Sequence, residues 1–172
     1  RDVAHLLVGG KVVAWFQGRE EFGARALGAR SIIADPTRPG VSNEINEMIK
    51  SRDFWMPFAC SMLETGADRY LVNPKQTASP YMIVTFNTTG HASEIEAGRH
   101  PFDHTCRPQV VNAAWNPRYH QLLTEFASLT GRLGILNTSF NLHGFPIASS
   151  PADAFHVLDR SGLRYLAIED WL

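Results

Sequence analysis

Gly18 to Ser31 sets three arginines, Arg19, Arg25 and Arg30, among three glycines, Gly18, Gly23 and Gly28. Arginine presents a planar fork of donors that matches carboxylate and phosphate oxygens. Glycine lets a backbone turn sharply or approach a ligand closely. The stretch predicts a loop that holds a multiply charged anion. The same spacing also fits a solvated turn in which Glu20 and Glu21 neutralise two of the arginines. Lys50 and Arg52 stand two apart where a helical pattern ends. They either complement the helix dipole or project two cations into a cleft, and Arg52 next to Asp53 also reads as a surface ion pair. Arg107 and Gln109 are again two apart, so on a strand they share a face. That face either meets a ligand with anionic and amide-like groups or lies in solvent. Thr138, Ser139 and Asn141 follow an apolar run and offer hydroxyls, an amide and backbone N–H groups. Such a set cradles a phosphate or an acyl group, or closes a turn on itself.

Two further patterns lead elsewhere. His100 and His104 have an HxxxH spacing, but Pro101 interrupts it and no glutamate follows the first histidine, so no metal site is expected. Cys60 sits in an apolar strand pattern and reads as a packed thiol rather than a nucleophile.

Alternating segments position these residues. A helical stripe over Val3–Val8 stops at Gly9 and Gly10, and a strand runs from Lys11 to Gln17. The arginine-glycine loop connects it to a second strand, Ser31–Ala34. Ser42 is the expected N-cap of a helix through Lys50. Strands are expected over Phe58–Leu63, Tyr81–Phe86, Arg107–Val111, Leu133–Leu136 and Leu163–Ile168, with Pro108 marking an edge or a strand start. A short helix is expected over Glu64–Tyr70. Pro117 opens a helix with a stripe of Tyr119, Leu122, Leu123, Phe126 and Leu129, ended by Gly131. Ser150 and Pro151 open another, ending near Gly162. Strands and helices alternate without a clean βαβ repeat, which predicts one α/β domain with a mixed, twisted sheet.

The chain has 172 residues, 44% of them hydrophobic and 19% charged, with a formal net charge of −1. These values fit a globular domain with a sizeable core. They supply no overall basic field for nucleic acid, so any cationic site must be local. No apolar run has the length of a membrane span. Two cysteines make no disulfide framework and point to a reducing, cytoplasmic setting. The chain begins at Arg1 without a methionine and enters an apolar pattern at once, which predicts a segment of a longer protein.

Taken in order, these pieces resemble the C-terminal domain of the O-carbamoyltransferases, the family of nodulation-factor, cephem-antibiotic and aminoglycoside carbamoyltransferases. The matching residues are Gly18, Arg19, Glu21, Phe22, Gly23, Arg25–Gly28 and Arg30–Ile32, then Asp35-Pro36, Lys50, Arg52-Asp53 and Pro57–Ala59. They continue through Ser79–Met82, Thr105, Arg107, Gln109, Val111, Asn116-Pro117, Leu136–Asn141, Gly144, Pro146-Ile147, Pro151 and Asp153-Ala154. The resemblance covers nearly the whole chain. It implies a YrdC-like fold, a twisted mixed sheet flanked by helices around a positively lined cavity. It also implies binding of ATP, with magnesium, and of carbamoyl phosphate, and activation of the carbamoyl group as carbamoyl adenylate. A separate N-terminal domain of the parent chain, with an actin-like ATPase fold and its own metal, would then transfer the group to a hydroxyl of a small molecule or glycan. A homodimer is compatible with this picture.

The resemblance assigns Arg25 and Lys50 to the carbamoyl phosphate or its transferring group, with Ser139, beside Asn141, orienting the carbamoyl group or the adenylate. Arg52 and Arg107 go to phosphates, and Gln109, Thr138 and Asn141 to the nucleotide or adenylate. Two unit charges 4 Å apart repel by about 4 kcal/mol at an effective dielectric near 20. Fixed cations are therefore what allows two anions to meet. One departure stands out: Met56 occupies a position where the family usually has arginine. Two other readings share the motifs, a nucleotide- or anion-binding module without catalysis and a threonylcarbamoyl-adenylate relative acting in tRNA modification. The net charge argues against RNA.

Overall fold

The computed structural model describes residues 1–51 and 56–172. Its centre is a six-stranded mixed sheet of β1 (Val13–Phe16), β2 (Arg30–Ala34), β3 (Ala59–Leu63), β4 (Gln109–Val111), β5 (Gly134–Ser139) and β6 (Leu166–Ile168). The order is β4-β3-β5-β2-β1-β6. The edge strands β4 and β6 run parallel to their neighbours, and the four central strands pair antiparallel. The helices are α1 (Asp2–Val8), α2 (Val41–Ile45), α3 (Ala67–Tyr70), α4 (Pro117–Thr130) and α5 (Pro151–Asp159). None of the described helices is long and apolar enough to cross a membrane.

Both sheet faces are covered, which explains why the strands are nearly continuous apolar runs. Side chains alternate between faces along a strand. Ala14, Phe16, Ile32 and Leu136 pack with Val41 and Ile45 of α2 and with Ala154 and Val157 of α5. Val13, Trp15, Ile33 and Ile135 pack instead with Leu7 of α1 and with Leu122, Leu123 and Phe126 of α4. A third cluster gathers Cys60, Met62, Tyr70, Phe86, Ile95 and Cys106.

The local signals account for the helix ends. Asn116 caps α4 by accepting from Tyr119 N at 3.2 Å, and Gly131 closes it at φ 72°. Leu129, expected in the buried stripe, is 40% exposed. Ser150 and Asp153 form a reciprocal capping box at the start of α5. Three expectations are corrected. Ser42 does not cap α2; the helix starts two residues earlier than such a cap would place it, at Val41 after Gly40 at φ 76°, without a side-chain cap. It continues over Asn46–Lys50 as a π-turn. Tyr81–Phe86 is not a strand: Ser79 O meets Val110 N at 2.7 Å, but Met82 at φ 54° turns the chain away from the open edge of β4. The strand expected from Arg107 begins at Gln109, since Pro108 has no N–H to give to a ladder.

Candidate functional site

The arginine-glycine loop is closed by its own glutamate. Glu21 Oε1 accepts from Leu27 N at 2.7 Å, Ala29 N at 2.7 Å and Arg30 N at 3.2 Å. The glutamate therefore holds the loop's backbone, a role its place beside Arg19 did not reveal. Arg30 is structural. It lies over the Phe16 ring and donates to Gln17 O and Gly18 O at 3.0 and 2.9 Å. Arg25, at the loop's outer turn, is exposed and free of this scaffold.

From beneath, the sheet grips the same loop. Asn137 Nδ2 donates to Ala26 O at 3.1 Å and to Ser61 Oγ at 2.8 Å. Gln109 Nε2 donates to Leu27 O at 2.7 Å, while its Oε1 accepts from Ser61 Oγ at 2.7 Å. Both ends of the Gln109 amide are thus engaged in a buried network, and Gln109 lies behind the cavity wall rather than on it. The signal that pairs it with Arg107, a two-residue spacing on one strand, fails because Arg107 precedes the strand.

Arg25 and Arg107 line one cavity of about 460 Å³ with Met56, Pro57, Phe58, Thr85, His100 and Thr105. A recess of about 60 Å³ shares Arg25, Pro57, Phe58 and Arg107 with it, and is walled by Met82, Asn137, Thr138 and Ser139. Burial lowers the pKa of Arg107, and the positive charge of Arg25 lowers it further. Two guanidiniums that repel across a half-buried cavity are a receptor for negative charge.

Lys50 borders this recess through Ser139. Its side chain is 2% exposed. The ammonium donates to Ser139 O, to Ser139 Oγ at 3.2 Å, to Asn141 O at 3.2 Å and to Asn141 Oδ1 at 2.7 Å. Ser139 Oγ donates to Asn141 Oδ1 at 2.6 Å. The π-turn matters here: Ser51 N reaches Asn46 O at 2.8 Å, and Lys50 is the last residue of that widened turn. Arg25, Arg107, Thr138 and Ser139 therefore share one cavity wall, with Lys50 and Asn141 joined to it at Ser139. Arg52 lies outside the described residues. Met56 lines the cavity, so a thioether stands there in place of a guanidinium. Thr85 had no sequence signal, Met82 had one only in the resemblance, and His100 only in a spacing set aside as a metal site, because these walls come from a segment that reads as a strand and from the loop before Pro101.

Cys60 and Cys106 are buried free thiols. Burial pushes Cys60 well above the ordinary thiol range and Cys106 up to about 12, so both are packed, protonated side chains at neutral pH. Among the described residues no group of three or more His, Cys, Asp or Glu side chains is placed to hold a metal ion.

Residues 4–172 match the family described as Carbamoyltransferase C-terminus. The chain belongs to this family. Nodulation protein NolO of Bradyrhizobium diazoefficiens is 35% identical over 183 residues, covering 99% of this chain and 33% of NolO. The 3'-hydroxymethylcephem-O-carbamoyltransferase of Amycolatopsis lactamdurans is 33% identical, covering 98% of this chain and 32% of that enzyme. An uncharacterized protein of Synechocystis is 38% identical, with 99% of this chain and 31% of the relative covered. The chain thus spans about a third of the length of these curated relatives. Full-length HypF, solved in a phosphate- and nucleotide-bound form, superimposes with a TM-score of 0.65 at 18% identity, covering 94% of this chain and 20% of HypF. The mixed six-stranded sheet with flanking helices thus has the expected YrdC-like α/β fold.

Proposed function

We propose that this domain is the carbamoyl-activating part of an O-carbamoyltransferase. It binds carbamoyl phosphate and ATP and forms carbamoyl adenylate, which another domain of the parent protein transfers to a hydroxyl. The observation that carries the reading is the pair Arg25 and Arg107, which together line a cavity and the recess that leads from it to Ser139.

Carbamoyl phosphate and the ATP phosphates are both anions, and carbamate must approach the α-phosphate against their repulsion. Arg25 and Arg107 supply fixed positive charge where those oxygens meet, at no reorganisation cost during the reaction. Water cleaves carbamoyl phosphate to carbamate and phosphate. A carbamate oxygen then attacks the α-phosphorus, and pyrophosphate leaves as its bond to that phosphorus breaks. Lys50 fixes Ser139 and Asn141 so that the hydroxyl of Ser139 can orient the carbamoyl group. No side chain needs to become a covalent nucleophile, and positioning supplies most of the acceleration. The magnesium expected with ATP would be carried on the nucleotide's own phosphates.

Phosphorus NMR of the full-length protein with carbamoyl phosphate and ATP, without acceptor, tests the reaction class. The expected products are orthophosphate, pyrophosphate and an adenylate signal. Formation of ADP in their place would contradict it.

A further inference from the structure

One histidine of the arginine cavity has no part in the chemistry described above. His100 lines the cavity with Arg25 and Arg107, and its side chain is 37% exposed, so a ligand can reach the ring. Its backbone is tied down: His100 N donates to Thr105 O at 2.8 Å, and His104 N donates to His100 O at 3.0 Å. The same turn engages one ring nitrogen. Nδ1 accepts from Phe102 N and Asp103 N, both at 3.4 Å. A neutral imidazole whose Nδ1 accepts carries its proton on Nε2. In the charged ring the added Nδ1 proton faces Asp103 Oδ1, 3.3 Å away. Nε2 is therefore a donor in both states, and it is the ring nitrogen that the turn leaves unused.

The cavity's other walls leave room for such a donor. Thr105 lines it, but its hydroxyl donates to Asp103 Oδ1 at 2.8 Å. Met56 brings a thioether where the family usually has arginine. Arg25 and Arg107 thus supply the fixed charge, whereas a phosphoryl group presents three outer oxygens, and charged donors hold such oxygens about twice as strongly as neutral ones.

The surrounding charges permit the ring to protonate. Among the described residues, Arg99, Asp103 and His104 flank it on its own segment, and Arg25 and Arg107 share its cavity. Arg99 is paired with Glu96, and Cys106 beyond it stays a protonated thiol. The N–H and hydroxyl of Thr105 hold Asp103 below the ordinary carboxylate range, helped by the charges of His100 and His104. Asp103 is thus anionic at neutral pH and offsets part of the repulsion from the two arginines.

We propose that His100 is a third anion ligand of this cavity: Nε2–H donates to a phosphoryl oxygen held by Arg25 and Arg107, and protonation of the ring adds a charge that neutral pH can withdraw. The inference rests on the anion site of the activation reading above and adds a titratable ligand to it. Histidine changes charge between about pH 5 and 8, so anion affinity rises as the pH falls through that range, and binding draws a proton onto the ring.

Calorimetry on the full-length protein with inorganic sulfate tests this, because sulfate keeps its charge over the range in which phosphates titrate. The wild type is compared with His100→Gln, which keeps a neutral N–H, and with His100→Lys, which fixes the charge. One charge-assisted hydrogen bond is worth about tenfold in affinity. The wild type is expected to bind sulfate about tenfold more tightly at about pH 6 than at about pH 8. His100→Gln is expected to bind at both values as the wild type does at the higher one, and His100→Lys at both as the wild type does at the lower one. A wild-type pH dependence retained in His100→Gln would overturn the role of His100. So would an equal weakening at both values with no recovery in His100→Lys, the mark of a merely structural effect. Either failure leaves the activation reading standing as long as Arg107→Ala loses sulfate. A wild type that binds no sulfate at either pH removes both.

Discussion

Arg25 and Lys50 carry the same charge in opposite settings. Arg25 is exposed on a loop whose shape is held by Glu21 and Asn137, not by its own side chain. Lys50 is buried and satisfies acceptors on Ser139 and Asn141. Removing a buried charged donor leaves its neutral acceptors unpaired, a loss of about 1–3 kcal/mol. Arg25→Ala is therefore expected to leave the melting temperature within about 2 °C of wild type while weakening tripolyphosphate binding by at least about tenfold. Lys50→Ala is expected to lower the melting temperature by several degrees and to weaken the site as well. Thermal melts and calorimetry on the two variants check this. Matching melts would show that the burial of Lys50 contributes no stability.

At the scale of elements, the loop and the strand ends make the site, and they differ in how far the sequence exposes them. Arg25, Thr138 and Ser139 are legible because residue type and strand-end position both point to an anion. Glu21 is not, because a glutamate among arginines looks like a charge partner until its contacts with Leu27, Ala29 and Arg30 backbone are seen. Tyr81–Phe86 misleads for a related reason. Its apolar, β-branched pattern fits a strand, yet Met82 takes a left-handed turn and the segment walls the cavity instead. Local propensity yields there to tertiary context. The loop's return is fixed by Gly28, whose φ is 98° and where an added Cβ would overlap the Tyr119 ring. Gly28→Ala is expected to cost about 2–4 kcal/mol, from positive φ and overpacking together. Urea unfolding of the variant measures it, and a cost below about 1 kcal/mol would mean that the loop and α4 separate readily.

Across the whole molecule, topology decides which of these pieces meet. The chain's first and last strands lie side by side, since β1 pairs with β6. The middle of the sheet is built by β5, which inserts between β2 and β3 and thereby brings Ser139 alongside Ser31 at the base of the arginine loop. Nearly continuous apolar strands between amphipathic helices announce an α/β sheet covered on both faces. It carries no record of strand order, because pairing depends on contacts between residues far apart in the chain. The ordered motif set supplied the family, and the fold explains the set. The pieces before and after the sheet's centre converge on one cavity, with Lys50, at the end of a π-turn that no local pattern distinguishes from ordinary helix, bonded to its Ser139 from behind the wall. The most direct measurement is carbamoyl-phosphate-dependent exchange of pyrophosphate into ATP by the full-length protein, wild type and Arg107→Ala. Exchange is expected only when both substrates are present, and Arg107→Ala is expected to reduce it by about a hundredfold or more with little change in melting temperature. Wild-type exchange by Arg107→Ala, or exchange that proceeds without carbamoyl phosphate, would contradict the account.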